Sequence, residues 1–264
     1  MDSENAKRVE MITRHLMASN TSAVLSPGEE LRSFRKSPTS VRSMTRSPDA
    51  FSIMDMKRWL DHDNHAMRDE LRDYLSDPIF EQKYHVNLEE LRALALQRLK
   101  KVCAQPGRFI SVNDFRTNPQ RVFAAHEICC LVDGSLATKL TVNFNLFGGT
   151  VLKLGTKRHH QGLLEKIDSI EQVGCFALTE LGYGNNAIEM ETTAVYDECS
   201  KEFIINTPNP LAQKYWITNA AQDSSISVVF AQTTVNQKEQ GVHAFLVPIR
   251  NADMSPCAGV TIEE

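Results

Sequence analysis

The sequence has 264 residues, 42% of them hydrophobic and 23% charged, which fits one sizeable globular domain or one and a half and excludes wholesale disorder or a fibrous chain. Lys and Arg number 29 against 33 Asp and Glu, a net charge of −4, so no basic excess exists to drive nucleic-acid binding. No apolar run approaches the roughly 20 residues that span a bilayer, and the N-terminus lacks the apolar core of a secretory signal.

Residues 1–17, MDSENAKRVEMITRHLM, place Val9, Ile12 and Leu16 at helical spacing and predict a short amphipathic helix. Residues 18–49 are rich in Ser and Arg and carry three Ser-Pro pairs at Ser26, Ser37 and Ser47. Few apolar side chains offset ordering entropy there, so a solvated linker is predicted, with regulation by phosphorylation as the alternative.

From about 50 to 172 the pattern is helical. Ser52 or Asp49 is placed to cap a helix through IMDMKRWLDH, and Asp61 or Asp63 to open the next through MRDELRDYL. NLEELRALALQRLKKVCA has Asn87 at the N-cap and Glu90 at the capping-box position. Asn118-Pro119 opens a helix through VFAAHEICCLVDG that Gly134 is expected to stop. Ser135–Asn143 and Leu146–Leu154 read as buried helices, and Thr156–Ile167 as an amphipathic one.

From 173 to 264 the period changes. CFALTE, EMETTAVYD, EFIINT, SISVVFAQT and VHAFLVPIR are short β-rich runs separated by Gly, Asn, Asp and Pro. The expected fold class is α+β, a helical domain followed by an antiparallel β-domain. GVTIEE reads as the start of a further strand, so the 264 residues are expected to be part of a longer architecture.

Most groups that could carry chemistry read as structural. Adjacent helical His159 and His160 point about 100° apart and lack a ligand partner at metal-binding spacing. GGTVLKLGTK lacks phosphate-loop spacing and reads as helix–helix contact at small residues. No G-x-S-x-G elbow supports a serine hydrolase. Glu180, Asp197 and Glu202 read as solvated carboxylates. The six cysteines, at 103, 129, 130, 175, 199 and 257, form no C-x-x-C pair and read as reduced, mostly buried thiols.

Two segments are more informative. In C-F-A-L-T-E-L-G-Y-G-N-N (175–186) a β-run ends at Thr179-Glu180 beside Gly182 and Gly184. Such a strand end presents backbone N–H groups and a hydroxyl to a planar polar ligand, and glycine permits close approach. In Q-K-Y-W-I-T-N (213–219), Trp216 offers an aromatic plane and Thr218 a hydroxyl two residues on, on one face of an expected strand.

These residues resemble the acyl-CoA oxidase branch of the acyl-CoA dehydrogenase/oxidase family, in order and spacing. The likeness runs through GCFALTELGYGNNAIEMETTAVYD, EFIINTPNPLAQKYWITNAA and VVFAQTTVNQKEQGVHAFLVPIR, and upstream through ATKLTVNFNLFGGTVLKLGTKRHH. The resemblance implies a helical domain, a β-domain and C-terminal helices, with FAD between the last two. It implies that Thr179 bonds the flavin region, that Trp216 packs along the ring, and that Thr218 donates to the ring edge. Phe176 would lie near the ring, with Cys175, Ala177 and Leu178 as neighbouring strand.

The implied reaction is α,β-dehydrogenation of a fatty acyl-CoA, with O2 as acceptor, giving trans-2-enoyl-CoA and H2O2. The family's catalytic base is expected beyond Glu264, so the isolated chain is expected to be inactive or nearly so. A homodimer is implied for the full-length protein. The alternatives are a dehydrogenase that passes electrons to a protein partner, which W-I-T-N resembles, and a non-catalytic paralogue that binds oxidase subunits. Arg8-Val9, five residues, then His15-Leu16 fits an N-terminal peroxisomal targeting signal read by the import receptor, so the peroxisome is the expected compartment.

Overall fold

The computed structural model describes residues 52–264. The predicted targeting helix, with Arg8, Val9, His15 and Leu16, and the predicted linker over 18–49 lie outside them.

Local bonds set the first helices. The Ser52 hydroxyl accepts from Asp55 N at 3.3 Å and opens α1, Ile53–Asp61. Helix α2, His65–Tyr74, starts after Asn64, whose φ is 45°. Neither Asp61 nor Asp63 caps it, contrary to expectation, because both face guanidinium groups: Asp61 pairs with Arg72, and Asp63 accepts from the buried Arg68. Asn87 Oδ1 accepts from Glu90 N at 2.8 Å to begin α3, Leu88–Val102. After the one-turn α4, Asp114–Thr117, Pro119 sits in the first turn of α5, Pro119–Val132, where its missing N–H costs nothing.

Gly134 does not end the helical path. Asp133 closes α5 and its carboxylate accepts from Ser135 N at 2.8 Å, capping α6, Gly134–Leu140. The expected pair of buried helices is instead one run. Helix α6 continues through wide π-type turns over Thr141–Gly148 into α7, Gly149–Leu154. The expected amphipathic helix over 156–167 is two short ones, α8 (Lys157–His160) and α9 (Leu163–Asp168), broken where Gly162 takes a φ of 76°.

The π-type segment turns Asn143 into the core. Its amide donates to Ile167 O at 3.3 Å, and its Oδ1 accepts from Gly174 N at 3.1 Å, where the first strand begins. Leu71, Leu99, Val122, Ile128, Leu136, Leu140, Phe144 and Phe147 form a core that reaches Val228 in the sheet. Three of the six cysteines, Cys103, Cys129 and Cys175, are buried; Cys130 and Cys199 are exposed and Cys257 is half-buried, so the expectation of mostly buried thiols holds for half of them.

The five strands are β1 (Gly174–Ala177), β2 (Thr193–Asp197), β3 (Glu202–Asn206), β4 (Ile226–Val235) and β5 (Lys238–Pro248). The helical-then-β order stands. The pairing is mixed rather than antiparallel throughout. Strand β4 carries antiparallel β5 along one edge, while its other edge pairs in parallel with β1 over 226–229 and with β2 over 232–234; β3 then pairs antiparallel to β2. Strands β1 and β2 follow one another in the same direction along that edge, so loop 178–192 carries the chain onward from the level of Val229 to that of Gln232; β3 then reverses the direction and loop 207–225 leads back to the start of β4. Those loops build the site.

Candidate functional site

Where β1 ends, the chain leaves the sheet and pairs with the later segment. Tyr215 N donates to Thr179 O at 3.0 Å, and Thr179 Oγ1 donates to Tyr215 O at 2.6 Å. Leu181 N and Gly182 N donate to Gln213 O and Leu211 O, each at 2.9 Å. Gly182 makes this possible: a Cβ there would lie 2.8 Å from Leu211 Cβ. The two segments therefore come together as expected, with Thr179 directly joined to the residue before Trp216.

Residues 213–219 are not the expected strand. Only Lys214 forms an isolated bridge, to Glu180. Trp216 and Asn219 have φ of 62° and 73°, in the left-handed region that disfavours a side-chain-bearing residue by about 1–2 kcal/mol. Trp216 and Thr218 thus do not share a strand face. Instead the loop carries the indole outward, 87% exposed. Thr218 is exposed next to it, and Tyr215, Leu181 and Leu211 add exposed apolar surface. Phe176 sits one strand-length back, its ring 4.9 Å from that of Phe230 on β4.

Sequence reasoning missed what anchors this loop. Glu180 is not a solvated carboxylate; it is 2% exposed. It accepts from Thr192 Oγ1 at 2.5 Å, Thr192 N at 3.0 Å, Glu191 N at 2.8 Å and Lys214 Nζ at 3.0 Å. Burial pushes its carboxyl up, but the donors from Thr192, Glu191 and Lys214 outweigh it and hold the group below the ordinary glutamate range. Burial pulls the Lys214 ammonium below the usual lysine range, with Glu180 opposing.

At the loop's other end, Asn219 Nδ2 donates to Gly174 O at 3.5 Å, while its Oδ1 accepts from Lys139 Nζ at 3.3 Å. Lys139 also pairs with Asp223. The buried Arg250 donates to Ala220 O, Ala221 O and Ser224 O at 2.5–2.8 Å. The exposed indole is therefore suspended between two buried polar anchors. Trp216 thereby presents a large exposed aromatic plane on a backbone conformation that disfavours it. His159 and His160 take local roles: His159 Nδ1 accepts from Thr156 N at 3.0 Å, and His160 Nε2 lies 3.0 Å from Val151 O.

Residues 175–264 match the family described as acyl-CoA dehydrogenase, middle domain. Peroxisomal acyl-coenzyme A oxidase 3 of Arabidopsis thaliana is 33% identical over 279 aligned positions, covering 100% of this chain and 40% of the relative. The chain is an acyl-CoA oxidase family homologue.

Solved acyl-CoA oxidase structures share its fold. Acyl-CoA oxidase 1 of Yarrowia lipolytica superimposes with a TM-score of 0.69 at 30% identity, over 79% of this chain and 31% of that one. Acyl-CoA oxidase-2 of Caenorhabditis elegans, solved with FAD, ascaroside-CoA and ATP, gives 0.66 at 25% identity, over 80% of this chain and 32% of that one. This oxidase homologue thus spans well under half the length of the curated relatives it matches. The matched middle domain contains the whole of β1 after Gly174, both loops, Thr179, Glu180 and Trp216.

Proposed function

We propose that the loops after β1 form one wall of an FAD pocket, in a protein that oxidises fatty acyl-CoA thioesters between their α and β carbons. The observation that carries this reading is the joining of Thr179 to the segment that holds Trp216 outward. The C. elegans relative, solved with FAD and ascaroside-CoA, supports it.

On this reading Trp216 packs along the flavin, the Thr218 hydroxyl lies at its polar edge, and Phe176 and Leu178 supply apolar strand behind it. Bound flavin would accept the hydride that leaves the acyl β-carbon. The Thr179 hydroxyl proton is directed at Tyr215 O, so Thr179 meets a ligand with its oxygen lone pairs or orients Tyr215 instead. Gly182 lets the chain lie close against Leu211, which seats the later segment beside Thr179. No residue of 52–264 is assigned the base that removes the α-proton. Glu180 is unsuited to it, since its two oxygens already accept four hydrogen bonds and face away from solvent. Oxygen is the proposed electron acceptor and H2O2 the product. The proposed compartment is the peroxisome, reached through Arg8, Val9, His15 and Leu16.

The protein as its own gene produces it tests this. Saturation with FAD followed by gel filtration is expected to leave a flavin absorption band on the protein. Trp216→Ala should weaken retention about tenfold, the equivalent of one stacked aromatic contact of about 1–3 kcal/mol. Oxygen uptake against dye reduction, with a long-chain acyl-CoA, separates an oxidase from a dehydrogenase. Protein that carries no flavin at saturating FAD refutes the reading.

A further inference from the structure

Three stretches distant in sequence converge on Glu180: its own strand end, the approach to β2 at 191–192, and the 211–215 segment. Lys214 is the hinge of that convergence. Its ammonium donates to Glu180 Oε1 and to Leu178 O at 3.1 Å, and Thr192 Oγ1 also reaches Ala212 O at 3.2 Å. Two residues after Lys214 comes Trp216, exposed and in a left-handed backbone.

The chemistry of the cluster requires a carboxylate. Four donors (one ammonium, one hydroxyl and two backbone N–H groups) point at two oxygens. An ionised carboxylate is acceptor-only and satisfies all four. A glutamine of the same shape would turn an NH2 group onto an N–H or onto the ammonium, leaving a buried donor without an acceptor.

We propose that Glu180 is a positioning residue, which acts through Lys214, beside the Thr179–Tyr215 pair, to hold the left-handed turn that carries Trp216 outward to the flavin. The proposal rests on the FAD reading above only for its last clause; the holding of the turn stands on this chain's geometry. The anchor works against the backbone's own preference. With the Glu180–Lys214 tie released, the turn at Trp216 relies on the Thr179–Tyr215 bonds beside it, and the loop that carries the indole loosens.

The chain contains two tryptophans, so Trp59→Phe, a change on the exposed face of α1, leaves Trp216 as the only indole. In that background, indole anisotropy without flavin and the FAD dissociation constant are measured for Glu180→Gln, Lys214→Met and the double variant. Each single variant is expected to lower the anisotropy by about a third and to raise the dissociation constant about tenfold. The double variant should be no worse than the more severe single one, because both changes release the same tie.

A merely structural role would lower the melting temperature and leave the anisotropy and the flavin affinity of folded protein unchanged; that result overturns the proposal. Should Glu180→Gln fail to fold, Lys214→Met decides alone, since it leaves Glu180 three of its donors; unchanged anisotropy there overturns the proposal equally. A parent protein that binds no FAD, together with reduced anisotropy in the variants, would sink the flavin reading while upholding the fixing of Trp216.

Discussion

Replacing Gly174 by Ala should damage the junction between the helical core and the sheet. A Cβ there would lie inside 3.0 Å of three ring carbons of Phe147, a residue with no solvent exposure. To restore contact at 3.4 Å the ring would have to retreat by about 1 Å in a close-packed core. The strand cannot yield in its place, because Gly174 N is bonded to Asn143 and Gly174 pairs with Ile226 in the sheet.

Such overpacking costs about 3 kcal/mol, the upper part of the usual range. About 0.5–1 kcal/mol is regained because Ala restricts the unfolded chain more than Gly does. The net loss of about 2 kcal/mol corresponds to a fall in melting temperature of roughly 4–8 °C for a domain of this size. Gly134→Ala is the control. A methyl there meets nothing within 4 Å, and the backbone is not left-handed, so a rise of roughly 1–3 °C is expected. Melting curves followed by circular dichroism measure both. A Gly174→Ala protein that melts within 1 °C of the parent would refute the packing argument.

Further outcomes follow from other parts of the fold. Arg98, buried, donates to Ile79 O, Glu81 O and Asp133 Oδ2 at 2.8, 2.6 and 2.6 Å; Arg98→Ala strands a carboxylate and two carbonyls and should cost about 3–5 kcal/mol in urea unfolding. Asp61, whose bond from Arg72 holds it below its ordinary 3.8, and Glu180, held below 4.5 by donors that outweigh its burial, bind fewer protons folded than unfolded near pH 4. Their stabilisation is present in full above about pH 5 and lost as pH falls through the lowered values, and Asp61→Asn or Glu180→Gln should flatten the acid limb of a stability–pH curve. Under native conditions at pH 8 a thiol reagent should modify exposed Cys130 and Cys199 first. It should spare Cys103 and Cys129, whose thiols burial pushes up, Cys129 to about 12. Peptide mass mapping gives the order of labelling, and early modification of Cys129 would contradict its burial.

Much of the secondary structure was legible because the bonds that set it are local. Ser52 and Asn87 cap the turn immediately after them, and Pro119 occupies the first turn of its own helix. The five strands announced themselves through β-rich runs between turn residues. Asp61 and Asp63 were misread for the same reason in reverse: each had cap chemistry, but a guanidinium from outside the helix start claimed its carboxylate. Asp133 and Gly134 show a boundary that reads either way, since one residue both ends a helix and caps the next.

The sequence by itself determined the helical-then-β order and the two segments that meet at the end of β1, because periodicity and motif spacing act within a few residues. Only the tertiary structure decided that β4 pairs in parallel with β1 and β2, and that residues 213–219 form a strained loop rather than a strand. It also decided that Glu180, read as solvated, is the buried anchor. Its partner Lys214 lies 34 residues away, and neither burial nor ion pairing across that distance leaves a mark on local pattern. Both arise only when the core has brought the loops together and excluded water from between them.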